Sequence, residues 1–174
     1  CDRLCDKLIY RHPHVFGTAV AETAGEVCKN WEQLKMTEKD GNKSILSGVP
    51  NSMPSLIKAY RMQEKAANVG FDWEKKEEVW AKVREEIAEV EAEMEKGDKV
   101  NCEKEFGDLI FSLVNAARLY DINPDNALEL TNAKFRRRFN HVEVSSKAKG
   151  LNLKDMSLEE MDALWNEAKE SEKA

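Results

Sequence analysis

Histidine is nearly absent from this 174-residue chain, which has only His12, His14 and His141 and no Glu-x-x-His pair. That counts against a di-iron carboxylate bundle, which takes such a pair from each of two helices. The three histidines are left with capping, packing or solvent-exposed roles. Cysteine is little more common: Cys1, Cys5, Cys28 and Cys102 show no C-x-x-C pairing and no ligand-like spacing with histidine. Reduced thiols in a cytoplasmic protein are the expectation. Glycine (8) and proline (4) are sparse while Glu, Lys, Ala and Leu are prominent, which points to a mostly helical chain. No apolar run approaches the roughly 18 residues that span a bilayer, and no signal peptide opens the sequence, so a soluble protein without a membrane partner is expected. Basic residues (27) are outnumbered by acidic ones (33), and the net charge of −6 argues against nucleic acid, which wants a broad basic face. Small anions remain open wherever basic residues cluster.

What is present reads as amphipathic helices. At 41% hydrophobic and 34% charged, the chain can bury a sizeable core as one domain or slightly more. A helix is expected from Pro54, in its first turn, to about Asn68, with Leu56, Ala59, Tyr60, Gln63, Ala66 and Ala67 on facing turns and Gly70 beyond its end. Phe71-Asp72-Trp73 connects it to a second helix, about Trp73 to Lys96, whose apolar stripe is Val79, Val83, Ile87, Val90 and Met94. Gly97 suits its C-terminus. The third, about Cys102 to Tyr120, is expected to bury Phe106, Leu109, Ile110, Leu113, Val114 and Ala117. Asn123-Pro124-Asp125 opens the fourth, with Leu128, Thr131, Phe135, Phe139 and Val142 towards the core and Gly150 after its end. Ser157-Leu158-Glu159-Glu160 has capping-box spacing for a last helix that holds Met161, Leu164 and Trp165. No strand pattern is found, so the architecture predicted is an all-α antiparallel bundle.

Two acid pairs on that frame carry chemistry. Glu86/Glu89 and Glu105/Asp108 lie at i,i+3 spacing on the second and third helices, and their mean position is Gly97. Gly97-Asp98-Lys99-Val100-Asn101 is the only turn-like stretch between them, so folding there sets Glu86 level with Asp108 and Glu89 level with Glu105. Unit charges ~4 Å apart repel by about 4 kcal/mol at an effective dielectric near 20, so four converging carboxylates need a cation. An all-oxygen ligand set favours Mg²⁺, with Mn²⁺ possible, over zinc. Lys82 shares the face of Glu86 and Glu89. The plainer reading is that these acids solvate exposed faces, as Glu91, Glu93 and Glu95 do.

A basic run supplies a counterpart. Lys134 and Arg138 lie one turn apart with Arg137 beside them, and guanidinium forks grip phosphate oxygens bidentately. Carboxylates for a metal and a Lys/Arg face together suit a polyphosphate, since Mg²⁺ bridges protein acids to phosphates. The competing reading is a solvated basic stripe. Trp165 is placed either to stack on a base or to pack in the core.

The chain also echoes itself. Lys7-Leu8-Ile9-Tyr10-Arg11-His12-Pro13-His14-Val15 matches Lys134-Phe135-Arg136-Arg137-Arg138-Phe139-Asn140-His141-Val142 in its Lys, Arg, His and Val, and Trp31-Glu32-Gln33-Leu34-Lys35 echoes Trp165-Asn166-Glu167-Ala168-Lys169. Cys1 rather than Met opens the sequence, and Asp2–Tyr10 already reads as a helix interior. The domain reading is therefore residues 1–38 as the tail of a truncated first copy, 39–53 as a flexible linker rich in Gly, Ser, Asn and Pro, and 54–174 as the catalytic copy.

Glu85-Glu86-Ile87-Ala88-Glu89 followed by Glu105-Phe106-Gly107-Asp108 resembles the EExxE…ExxD signature of the MazG family of nucleoside triphosphate pyrophosphohydrolases. Pro54 to Trp73, with Gln63 and Val69-Gly70-Phe71-Asp72-Trp73, Lys134 to Phe139 and Arg11-His12-Pro13-His14-Val15-Phe16 are similar to that family too, so the resemblance spans essentially the whole chain. It implies two tandem copies with the second active, a helical bundle completed by dimerisation, and cleavage between the α- and β-phosphates to a monophosphate and pyrophosphate. It implies Glu86, Glu89, Glu105 and Asp108 as metal ligands, and Lys82, Glu85, Lys134, Arg138 and Trp165 as nucleotide contacts. Asn101 stands where relatives carry a lysine, and the hairpin loop is short. Glu85 and Glu89 are the candidates for the proton acceptor, Glu89 favoured. The alternatives are a noncatalytic helical interaction module and a metal-dependent phosphohydrolase that releases orthophosphate.

Overall fold

A computed structural model describes residues 2–18, 23, 27, 34 and 44–172. Cys1, Cys28 and the Trp31–Lys35 echo apart from Leu34 lie outside the described residues. Among the described residues every regular element is a helix or a 3₁₀ turn, as the periodicity predicts. The chain divides into two compact units, residues 1–124 and 125–174.

The first unit opens with α1 (Asp2–Arg11) and a single turn at Pro13–Phe16. The segment Lys7–Val15 is thus interrupted before Pro13, whereas its echo Lys134–Val142 is unbroken helix. In the expected linker, residues 45–48 form a 3₁₀ turn closed by reciprocal Ser44 and Ser47 side-chain bonds. Helix α2 (Ser55–Ala67) follows, with Pro54 at its N-cap rather than inside its first turn. It packs against the helix that spans Lys99–Leu119, where Gln63 Nε2 donates to the Phe111 carbonyl at 2.8 Å.

Helices α3 (Val79–Lys96) and α4 (Lys99–Leu119) form the main helix pair. Val79, Val83 and Ala116 make its core, with Leu109, Leu119 and Tyr120 packed around them. Two boundaries differ from expectation. Helix α3 starts at Val79 instead of near Trp73, after a 3₁₀ turn at Lys76–Glu78. The cause is Asp72, whose carboxylate takes the Arg118 fork at 3.0 and 2.5 Å and the Trp73 N–H at 2.9 Å, which holds the connection against α4. Helix α4 starts at Lys99 instead of near Cys102, because Asp98 Oδ1 accepts from the Val100 and Asn101 N–H groups at 3.1 and 3.2 Å. The turn shrinks to Gly97 and Asp98. Gly97 sits at φ +74, a left-handed helix end that favours glycine.

The buried faces are narrower than the apolar stripes suggested. Val79, Val83 and Val90 are buried, but Ile87 and Met94 are exposed, and Glu86 occupies the core position between Val83 and Val90. On α4, Ser112, Val114 and Ala116 are buried while Phe106, Ile110 and Leu113 are exposed.

The second unit contains α5 (Pro124–Ala148, beginning one residue before it) and α6 (Leu158–Ser171), joined through a 3₁₀ turn at Leu153–Asp155. The Ser157/Glu160 capping box forms as predicted: the Ser157 N–H donates to Glu160 Oε2 at 2.7 Å, and the Glu160 N–H to Ser157 Oγ at 3.2 Å. Val142, Ser146, Leu164 and Ala168 are buried. Leu128, Phe135 and Phe139, expected in the core, are exposed. Thr131 is exposed as well, and its hydroxyl donates to the Ala127 carbonyl at 3.3 Å.

Candidate metal and phosphate site

The acids come from the two helices that the Gly97–Asp98 turn folds together. Glu86, Glu105 and Asp108 each place a carboxylate oxygen within 4.8 Å of the others. Glu86 is 5% exposed, so its charge sits in a low-dielectric position beside two more acids. Glu89, expected as the fourth member, lies outside this group of three and is exposed. Its carboxyl is nonetheless held above the ordinary range, by desolvation first and then by the negative charges of Glu86 and Glu105, with Lys82 opposing them. Centring the hairpin between Gly97 and Asp98 shifts the register slightly from the symmetric one, which lets Glu86 meet both Glu105 and Asp108.

Lys82 Nζ lies 2.7 Å from Glu86 Oε1 and 3.0 Å from Glu85 Oε1. Those two hydrogen bonds, Glu86 first, hold its ammonium well above the ordinary lysine range. Asp108 and Glu105 have no such cation partner among the described residues. Three converging oxygen donors with only the Lys82 ammonium against one of them fit a hard divalent cation, which takes carboxylate oxygens and keeps positions for substrate. The chain's own residues that would hold it are Glu86, Glu105 and Asp108, with Glu89 alongside.

Beyond the acids, a cavity of about 480 Å³ is bounded by Met62, Gln63, Phe71, Trp73, Phe111 and Arg118. Phe111 follows Asp108 by three residues on α4, about one helical turn. Sequence reasoning left this cavity unseen, although the Gln63 and Trp73 positions were singled out.

The basic set lies in the second unit. Arg138 donates from Nε and Nη2 to Glu172 Oε2 at 3.0 and 2.7 Å, and Arg137 Nη2 reaches Glu172 Oε1 at 3.4 Å. The Arg138 hydrogen bond leads in lowering the Glu172 pKa. The Arg138 guanidinium also lies 5.7 Å from the Trp165 ring centre, and Phe135 stacks on Phe139 and tilts against Trp165 at 5.2 Å. Trp165 is half-buried and Lys134 is exposed, with no ion pair among the described residues. Lys134 and Arg138 thus lie on α5 and Trp165 on α6, while Glu172 was missed. Nothing in the spacing of one C-terminal glutamate marks it as the partner of an arginine 34 residues earlier. The histidines stay outside this set: His12 Nδ1 contacts the Leu8 carbonyl at 2.7 Å, and His141 pairs loosely with Glu167 at 3.8 Å.

Residues 74–143 match the sequence profile of the MazG nucleotide pyrophosphohydrolase domain. The chain is 42% identical over 176 residues to a nucleoside triphosphate pyrophosphohydrolase of Escherichia coli K12, covering 99% of this chain and 67% of that protein. It is 41% identical over 167 residues to the nucleoside triphosphate pyrophosphohydrolase/pyrophosphatase MazG of Thermotoga maritima, covering 95% of this chain and 63% of the relative. A Bacillus subtilis protein named YabN and described as uncharacterized is 48% identical over 172 residues, 98% of this chain and 35% of its own length.

Proposed function

Since this chain belongs to the MazG nucleotide pyrophosphohydrolase family, we propose that it hydrolyses nucleoside triphosphates between the α- and β-phosphates, releasing a monophosphate and pyrophosphate. The observation that carries the reading is the convergence of Glu86, Glu105 and Asp108 on one point. Mg²⁺ is the cation proposed, with Mn²⁺ as the alternative. When bound, such an ion would neutralise phosphate charge and lower the pKa of the attacking water. Glu89, with its raised proton affinity, is the proposed acceptor of the water's proton, since a base works best when its pKa lies closer to the working pH. Glu85 is the alternative acceptor, and Lys82, which spans Glu85 and Glu86, is proposed to fix their rotamers and contact the substrate. Lys134, Arg137 and Arg138 are proposed to hold the phosphates of the leaving group, and Trp165 to line the nucleotide's path. The cavity wall of Phe71, Trp73 and Phe111 supports a substrate with a planar heterocycle.

Three further proposals accompany this reading. Exposed Phe106, Ile110 and Leu113 on α4 support a homodimer that covers them. Free thiols at Cys5 and Cys102 support a reducing, cytoplasmic setting, and no described helix is long and apolar enough to cross a membrane. The echo of Lys7–Val15 in Lys134–Val142 supports residues 1–38 as the tail of a first copy, 39–53 as a linker and 54–174 as the catalytic copy.

Incubating the protein with each nucleoside triphosphate and Mg²⁺ and identifying the phosphate product tests the activity. Pyrophosphate is expected; orthophosphate would support a different phosphohydrolase, and no turnover a noncatalytic module. Mg²⁺ is expected to raise the melting temperature of the wild type, and Glu86→Gln with Glu89→Gln to abolish both that rise and turnover.

A further inference from the structure

We propose that Glu172 is a determinant of substrate affinity: its carboxylate occupies the anion seat of Arg138 and Arg137, and a bound polyphosphate must displace it. The inference rests on the reading above only in taking Arg138 as a phosphate contact. The geometry is that of an anion held by a fork. Glu172 Oε2 accepts from both Nε and Nη2 of Arg138, and Oε1 accepts from Arg137, so one carboxylate takes three N–H donors. A phosphate oxygen can take the two Arg138 donors that Glu172 Oε2 takes, so the two ligands compete for one set of donors.

The seat is shaped and partly dry. The Arg138 side chain is 15% exposed and lies over the Trp165 ring, so its fork cannot swing freely to serve two anions at once. Glu172 itself is poorly placed for an anion in every other respect. Its N–H closes the last turn of α6 on the Ala168 carbonyl, which puts the carboxylate at a helix C-terminus, where the dipole disfavours negative charge. The two arginines therefore hold it there, and an ion pair so positioned yields to a ligand of higher charge. A triphosphate or pyrophosphate carries more charge than a nucleoside monophosphate, so either displaces Glu172 more readily than the monophosphate does.

The test compares wild type with Glu172→Gln and Glu172→Ala. Freed of its internal competitor, the fork should bind phosphate more tightly, so KM for the triphosphate should fall by about fivefold with kcat little changed. Inhibition by the nucleoside monophosphate should strengthen in both variants. Calorimetric titration with inorganic pyrophosphate, which needs no turnover, should show the same tightening. An unchanged or raised KM together with unchanged or weakened pyrophosphate binding overturns the proposal, because a carboxylate that merely orients Arg138 would weaken binding when removed. A wild type that binds pyrophosphate but cleaves no triphosphate would sink the activity reading and leave the Glu172 comparison intact. Helical circular dichroism of each variant checks that α6 is retained.

Discussion

Glu86 stands where the repeat Val79, Val83, Val90 would carry another valine, and that one substitution turns a packing position into a chemical one. A buried carboxylate beside Glu105 and Asp108 is costly to the metal-free fold, with Lys82 offsetting part of the cost. Glu86→Leu should therefore stabilise the metal-free protein by about 1–4 kcal/mol in urea unfolding while abolishing turnover. A second residue-scale expectation concerns Glu172, whose pKa is lowered from 4.5 by Arg138. An acid depressed in the folded state stabilises above its unfolded pKa and loses that contribution as pH falls through the native value. The stability difference between wild type and Glu172→Gln, followed by urea unfolding, should hold at neutral pH and shrink as pH drops below about 4.5.

At the scale of elements, what can be read from periodicity and what cannot separate cleanly. Gly97, Gly150 and the Ser157/Glu160 box announce helix ends through local chemistry, and all three sit as predicted. The start of α3 depends on Asp72 meeting Arg118, 46 residues away, which no local pattern reveals. Apolar stripes showed which residues are greasy but not which of them face a partner: Val83 is buried and Ile87, one turn on, is exposed. The acid cluster was legible because i,i+3 pairs and a turn define a register; Glu89 fell outside the tight group because the turn is shorter than expected. Two element-scale outcomes follow. Val114→Ala, at 1% exposure, should cost roughly 2 kcal/mol in urea unfolding, from lost burial and a residual cavity. Gly97→Ala should cost about 1–2 kcal/mol, because open space surrounds the position and only its left-handed backbone opposes a side chain.

On the scale of the whole molecule, the acids belong to one compact unit and the Lys134/Arg138 set to the other. Large apolar side chains are exposed on both helices of the main pair: Phe106, Ile110 and Leu113 lie on one side of α4, and Trp80, Ile87 and Met94 recur every seven residues on α3. Sequence periodicity counts all of these except Trp80 as core, since a pattern shows which residues are apolar and not what covers them. Ultracentrifugation should give a dimer mass, and Ile110→Asp should convert it to monomer. An undiminished dimer would point to another face.

The Gly97–Asp98 turn gives length a meaning that surface connections ordinarily lack. Loops tolerate insertions and deletions better than the elements they join. One alanine added after Asp98 would instead rotate α4 by about 100° against α3, carrying Glu105 and Asp108 off the side where Glu86 waits. Such a frame change should leave helix content near normal while erasing Mg²⁺-induced stabilisation. The same insertion near Gly150, between α5 and α6, has no acidic cluster to misalign and should keep that response.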